Sequence, residues 1–224
     1  SDTDDDGVID GVEVGTGTSP VNPYDPAQPG ALRLEGSGRL LVQSETPRDQ
    51  HRRWTVEAWV KADSETTSGI IVRRGETLPK YGVTAVDYEL GLEEGIPYLT
   101  YTFREGTVVI SERIQGFESI GTDWVHLAGV LDDADHQLRL YVDAKRVAYK
   151  RPVTLVAQPL VFDVETTIGG GAFDGVTVAN GFTGEIDAVR VWDYPRRGIE
   201  IQITRDELLP EFDGLDPDVI RAPV

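Results

Sequence analysis

Apolar residues fall at every second position in run after run of this chain, and each run is cut short by turn-forming residues. In RWTVEAWVKAD, Trp54, Val56, Ala58 and Val60 share one face, while Thr55, Glu57, Trp59 and Lys61 share the other. A period of two puts successive side chains on opposite sides of an extended strand, so such a run buries one face in a sheet rather than winding into an amphipathic helix. Trp124, His126, Ala128 and Val130 repeat the pattern, as do Leu138, Leu140 and Val142. Tyr88, Leu90 and Leu92 alternate with acids up to a Glu93-Glu94-Gly95 turn, and IPYLTYTFREGTVVI reads as a hairpin across Glu105-Gly106. Briefer candidates are 31–34 and 39–42 around Gly36-Ser37-Gly38, then 69–73, 164–168 and 182–192. About a dozen strands at a spacing of roughly 8–12 residues predict an all-β fold, a sandwich or a barrel. One short helix is expected after Pro195, between Gly198 and Leu209. Trp54, Val56, Ala58, Val60, Leu138, Leu140 and Val142 are the predicted core.

Composition removes several functions. The chain has no cysteine, which excludes disulfides, thiolate zinc sites and cysteine nucleophiles. No apolar run approaches the ~18 residues of a membrane span, so no membrane insertion is expected. The net charge is −18; residues 1–30 hold seven acidic and no basic side chains, and residues 205–224 hold six acidic and two basic. Without basic patches, nucleic acid and anionic membranes are poor partners. A chain that opens on Ser1 and contains no methionine reads as part of a longer protein, with neighbouring domains as partners.

The acidic N-terminus carries a motif. Asp2-Thr3-Asp4-Asp5-Asp6-Gly7-Val8-Ile9-Asp10-Gly11-Val12-Glu13 satisfies D-x-[DN]-x-[DN]-G-x5-E at every fixed position. Ca2+ is a hard cation that takes six to eight oxygens. Asp2, Asp4 and Asp6 supply three short carboxylates, and Gly7 permits the turn that aims the Val8 carbonyl inward. Asp10 binds directly or through water, and Glu13 closes the far side with its longer arm. Asn22 and Asp25 complete the shell or hold a second ion. The competing reading is a solvated acidic tail that matches by composition. A helix-loop-helix arrangement is excluded by the exit, Val14-Gly15-Thr16-Gly17-Thr18-Ser19-Pro20, whose glycines and proline cannot continue a helix.

Residues 1–30 resemble a thrombospondin type 3 repeat: the acidic loop is followed by Gly17-Thr18-Ser19-Pro20-Val21-Asn22-Pro23-Tyr24-Asp25. The resemblance implies calcium loading and an extracellular or cell-surface home. Residues 31–204 resemble the laminin-G-like, concanavalin A-like lectin/glucanase jelly roll. The resemblance rests on Ala31-Leu32-Arg33-Leu34-Glu35-Gly36, Trp54 to Val60, Trp124 to Val130, Leu138 to Asp143, Ile168-Gly169-Gly170 and Phe182 to Trp192. It implies a two-sheet antiparallel jelly-roll sandwich whose relatives bind glycans, proteins or lipid head groups, often with calcium. It also implies that Asp187 helps hold a structural calcium; the alternative is an exposed or cap-forming carboxylate. Residues 205–224 read as an acidic tail or linker.

Within the sandwich, Tyr81, Tyr88, Tyr98 and Tyr101 either stack on sugars or fill the core. His51, His126 and His136 show no metal spacing. Glu185-Ile186-Asp187 invites comparison with the E-x-D-x-x-E signature of jelly-roll glucanases, but Arg190 stands where the second carboxyl is needed, and retaining hydrolysis requires two. No catalytic residues are therefore assigned. The expected function is a calcium-binding, lectin-like recognition or adhesion module whose partner is a glycan or an extracellular protein. The alternatives are a calcium-stabilised spacer in an adhesin and a divergent jelly-roll glycoside hydrolase. If the acidic loop holds Ca2+, hydrogen exchange over residues 1–26 slows in calcium and quickens with chelator and in Asp4→Ala, while the sandwich keeps its protection. Equal exchange in all three samples would leave the segment a solvated tail.

Overall fold

The computed structural model describes residues 31–42, 53–78, 83–105, 108–132, 134–135, 137–151, 166–171 and 178–207. The acidic loop and its proposed ligands Asp2, Asp4, Asp6, Val8, Asp10, Glu13, Asn22 and Asp25 lie outside them, as do Tyr81, His51 and His136. The chain divides into two compact units, Ser1–Leu32 and Arg33–Val224. In the second, the described residues build two six-stranded antiparallel sheets and one helix.

Sheet A has the order β1-β12-β3-β8-β9-β10, from β1 (Leu32–Glu35), β12 (Thr183–Trp192), β3 (Trp54–Ala62), β8 (Val125–Asp132), β9 (Gln137–Val142) and β10 (Lys145–Lys150). Sheet B has the order β2-β11-β4-β5-β6-β7, from β2 (Leu40–Val42), β11 (Thr166–Ile168), β4 (Gly69–Leu78), β5 (Val83–Glu93), β6 (Ile96–Glu105) and β7 (Val108–Gln115). The alternating runs thus become strands as expected. The two runs flanking Gly36-Ser37-Gly38 part company, one joining each sheet. Local turns are set by backbone conformation: Glu94 and Gly95, both at positive φ, close the β5–β6 hairpin, and Asp143 and Ala144 close β9–β10 in the same way.

The core lies between the sheets. Trp54, Val56, Ala58 and Val60 are buried there, with Leu127, Leu131, Leu138 and Leu140 from the neighbouring strands. Across the gap Trp54 meets Tyr88 and Tyr101 of sheet B, at ring-centroid distances of 5.3 and 6.3 Å. Such tilted and edge-on ring contacts add to what area burial alone supplies. Val142, expected in the core, is only half-buried, because it lines an open groove with Pro97, Phe117, Ile120 and Val147.

The other face of β3 departs from a simple solvent-facing alternation. Thr55, Glu57 and Trp59 are buried as fully as the core residues between them. The cover is the segment after β12. The Thr55 hydroxyl donates to the Tyr194 carbonyl (2.9 Å) and accepts from the Arg196 amide (2.8 Å). Glu57, wholly inaccessible, accepts from Arg196 Nη1 at 2.5 Å and from the Trp192 indole. Arg196 Nη2 reaches on to the Glu200 carbonyl at 2.5 Å. Helix α1 (Gly198–Glu207) begins there, within the span the sequence predicts. Glu200 folds back onto the Arg197 amide at 2.7 Å, satisfying one of the unpaired donors of the first turn. Ile201 then packs on Ala128, Val130 and Tyr141.

His126 sits in the same layer, 1% exposed, with its ring 5.4 Å from Trp59 and Nε2 3.6 Å from Glu57. Burial, then Arg205 and Arg196, lowers its pKa to about 4. Burial pushes the Glu57 carboxyl above its ordinary value, opposed first by Arg196.

Two outcomes follow for stability. Arg196→Ala strands a buried carboxylate and is expected to cost about 3–5 kcal/mol in chemical denaturation, whereas replacing Glu57 and Arg196 together by apolar residues costs less than the sum of the single changes. A double change no milder than that sum would refute the pairing. Between pH 6.5 and about 4 the unfolded chain protonates His126 and the folded chain does not, so this residue withdraws up to about 3 kcal/mol of stability as pH falls through that window. Asp87, raised to about 6 by burial against the opposing pull of Arg74, acts in the other direction. The reading is therefore made against His126→Gln, whose unfolding free energy should gain on the wild type between pH 7 and pH 4.5; a constant gap would rule the effect out.

Candidate functional site

The C-terminal segment covers the middle of sheet A, and the polar side chains of sheet B line up on the side away from the core, exposed at Arg113 and Glu93. Strand registers place one lateral row there: Thr167 is paired with Arg73, Arg73 with Glu89, Glu89 with Thr100, and Thr100 with Arg113. The inner face of the same strands carries Val72, Leu90 and Leu99, all buried. Period-two alternation therefore sends the apolar set inward and lines up the charges outside.

Tyr98 ties the row together. It stands opposite Gly91 on β5, and a Cβ at Gly91 would lie 2.7 Å from the tyrosine Cζ and hydroxyl. The missing side chain lets the ring lie across the strand, so the hydroxyl donates to Glu89 Oε1 at 2.9 Å. Arg113 caps the ring, its guanidinium carbon 3.7 Å from the centroid, and pairs with Glu93 at 2.6 Å. A cation on an aromatic face is worth most where water is excluded. Burial, then Glu89, raises the Tyr98 pKa well above its ordinary value, so the hydroxyl keeps its proton and acts as a donor.

Arg73 lies beyond Glu89. Its side chain is 7% exposed and that of Glu89 16%. The Nε–Oε2 distance is 3.5 Å, an ion pair too long for a hydrogen bond, and neither Nε nor Nη2 has a hydrogen-bond partner. Burial lowers the Arg73 pKa, Glu89 opposes that, and a second guanidinium, Arg39, adds to it. Arg39 Nη1 donates to the Gly171 carbonyl at 2.7 Å, and a Cβ at Gly171 would lie 2.9 Å from Arg73 Nη1, so both arginines converge on that glycine. Thr102 Oγ1, also on β6, is buried without a partner.

The residues singled out from sequence are dispersed. Tyr88 and Tyr101 belong to the core between the sheets, Tyr98 to the outer face under Arg113. Asp187 stands opposite Trp59, where β12 bulges before Arg190 and Ala188 adopts a positive φ of 47°. Its Oδ1 accepts the Ala188 amide at 2.6 Å. Glu185 faces Lys61 and Arg33, at 3.7 and 3.6 Å. Both carboxylates are on sheet A, away from the row on sheet B. Among the described residues no three His, Asp or Glu side chains gather where a metal ion could sit. Arg73, Glu89 and Arg113 were not singled out from sequence. The alternation of acids with Tyr88, Leu90 and Leu92 points to Glu89, but nothing local reveals that Arg73 becomes its neighbour.

The fold is a two-sheet antiparallel sandwich with a row of polar side chains, most of them buried, on the side of sheet B away from the core. Residues 34–202 match a family model, Laminin_G_3, described as Concanavalin A-like lectin/glucanases superfamily, and the chain belongs to that family. A search of curated proteins finds no match. Among solved structures, the CBM40 of the Ruminococcus gnavus IT-sialidase bound to α2,3-sialyllactose is similar at TM-score 0.60 and 14% identity, over 79% of this chain and 96% of that one. A leech intramolecular trans-sialidase complexed with 2,7-anhydro-Neu5Ac is similar at 0.59 and 14%, over 78% of this chain and 26% of that one. The binding domain of botulinum neurotoxin DC in complex with rat synaptotagmin II is similar at 0.56 and 12%, over 75% and 40%. At these identities the likeness is one of fold.

Proposed function

We propose that residues 31–204 form a non-catalytic, lectin-like module that binds glycans on the outer face of sheet B, within a calcium-binding adhesion protein at the cell surface or outside the cell. The observation that carries the reading is the cross-strand row Arg73–Glu89–Thr100–Arg113 with Tyr98 laid over it. It offers donors and acceptors held on rigid strands, as recognition of sugar hydroxyls requires. Family membership and the CBM40 likeness, whose relative is bound to sialyllactose, support a glycan rather than a purely structural role. The calcium part rests on the spacing of Asp2, Asp4, Asp6, Asp10 and Glu13 in the sequence, and Asp187 is a second candidate ligand.

The test is a glycan array probed with the whole chain, in calcium and in chelator, beside Glu89→Gln. Binding of a defined glycan subset that weakens in Glu89→Gln is the expected result. Binding that depends on calcium but is unaffected by Glu89→Gln would move the site off this face, and no glycan binding under either condition would leave the spacer reading in its place.

A further inference from the structure

Along one side of the sandwich the edge strand of each sheet, β7 of sheet B and β10 of sheet A, lies beside the other. Lys150 of β10 and Glu112 of β7 form an ion pair that clamps the two edges together. Farther along, at Gly116, the edges enclose an open groove of about 260 Å³, lined by Pro97, Phe117, Ile120, Val142 and Val147. A site that encloses a whole small molecule spans ~300–1,000 Å³, so this one takes a side chain from something larger.

The groove departs from a plain sheet edge in two ways. Phe117 at its margin is 87% exposed, more than any other large apolar side chain among the described residues. β10 bulges at Val147, which places that side chain in the groove wall and takes its backbone out of the ladder with β9. Charge on the β10 side is of one sign. The run Lys145-Arg146-Val147-Ala148-Tyr149-Lys150-Arg151 holds four basic residues and no acid, in a chain of net charge −18. Lys150 is taken up by Glu112, and Arg151 donates to the Asp135 carbonyl. Lys145 and Arg146 are exposed and meet no acid among the described residues; the Arg146 guanidinium carbon lies 4.9 Å from the centroid of the exposed Tyr149 ring.

These features select the occupant. A second copy would bring a like-charged β10, and the lining is far short of the ~20–30 residues a side that a stable dimer uses. Nucleic acid and anionic membranes need a broader positive surface than two side chains. A short extended peptide fits all of them. Its backbone answers an unpaired strand edge, one apolar side chain enters the groove, and acids beside that anchor answer Lys145 and Arg146. Glu118 lines the groove from the segment after β7 and confines those acids to the β10 side.

We propose that the groove between β7 and β10 docks an acidic, extended peptide segment of a partner protein, its apolar anchor seated against Phe117 and Val147 and its flanking carboxylates paired with Lys145 and Arg146. The groove shares no residue with the row on sheet B, so the proposal stands apart from the glycan reading.

The experiment is a titration of the full chain, followed by its amide resonances, with three blocked peptides: the acidic EDDLFDDE, its anchorless form EDDAADDE and the basic KRKLFKRK. The first should saturate and move the Phe117, Ile120 and Val147 signals, with the other two about tenfold or more weaker. Phe117→Ala should weaken the acidic peptide by a similar factor. Lys145→Glu with Arg146→Glu should reverse the preference, so that the basic peptide binds more tightly than the acidic one. All three side chains are exposed, and thermal melting checks that the variants stay folded. No movement at the groove with millimolar acidic peptide would overturn the proposal. So would equal binding by the anchorless peptide, or a preference that survives the charge reversal. Concentration-dependent dimers that Phe117→Ala abolishes and the acidic peptide does not disrupt would give the groove to a second copy instead.

Discussion

A carboxylate buried without water must be held by charge and hydrogen bonds or it will not stay ionised. Glu57, in the middle of the central strand of sheet A, is such a group, and Arg196 is its counter-ion. With Thr55 two residues earlier, it fastens residues 194–196 across the strand. Helix α1 is launched from that anchor, since the same arginine also holds the Glu200 carbonyl in its first turn. The middle of sheet A thereby has protein on both sides, one side from sheet B and the other from the chain's own C-terminal segment. Sheet B carries its own polar row on the side away from the core, exposed at the Arg113–Glu93 end.

Period two was enough to read most strands, because alternation is local. It correctly separated Trp54, Val56, Ala58 and Val60 from Thr55, Glu57, Trp59 and Lys61. It could not say that the second set would also be covered, because the cover comes from residues about 140 positions later. Helix α1 was legible from Pro195 and the stretch beyond it; that it would rest on Ala128 and Tyr141 was not. The site shows the same division. Tyr98 was visible as a candidate and Glu89 as one of the acids alternating with β5. Arg73 became meaningful only through the register of β4 on β5, which no local pattern encodes. Val142 kept its face but lost its depth, because it sits beside a groove rather than under a neighbour.

The structural relatives share the sandwich with this chain at 12–14% identity. That is what a fold specified by apolar alternation and turn chemistry permits, since neither fixes what the outer-facing residues are. A glycan-bound module, a trans-sialidase and a toxin's binding domain can therefore stand near one another by shape while their chemistry is set elsewhere. For this chain the chemistry must be argued from its own row of arginine, glutamate and tyrosine.

The order of strands also fixes the order in which the molecule can assemble. Sheet B contains a run of sequence neighbours, β4-β5-β6-β7, each paired with the next. Sheet A joins β3 to β12, with Glu57 opposite Arg190, and sets β12 beside β1. The first half of the molecule can zip through short loops, whereas the central strand of the second must wait for residues synthesised near the end of the domain. Contacts of such long range slow folding, because loop closure comes before any reward. On a ribosome the meander of sheet B would exist first, with the inner face of β5 and β6 uncovered until β3 and β8 pair in sheet A. A sandwich wired in this way depends on that interval being kept free of other chains.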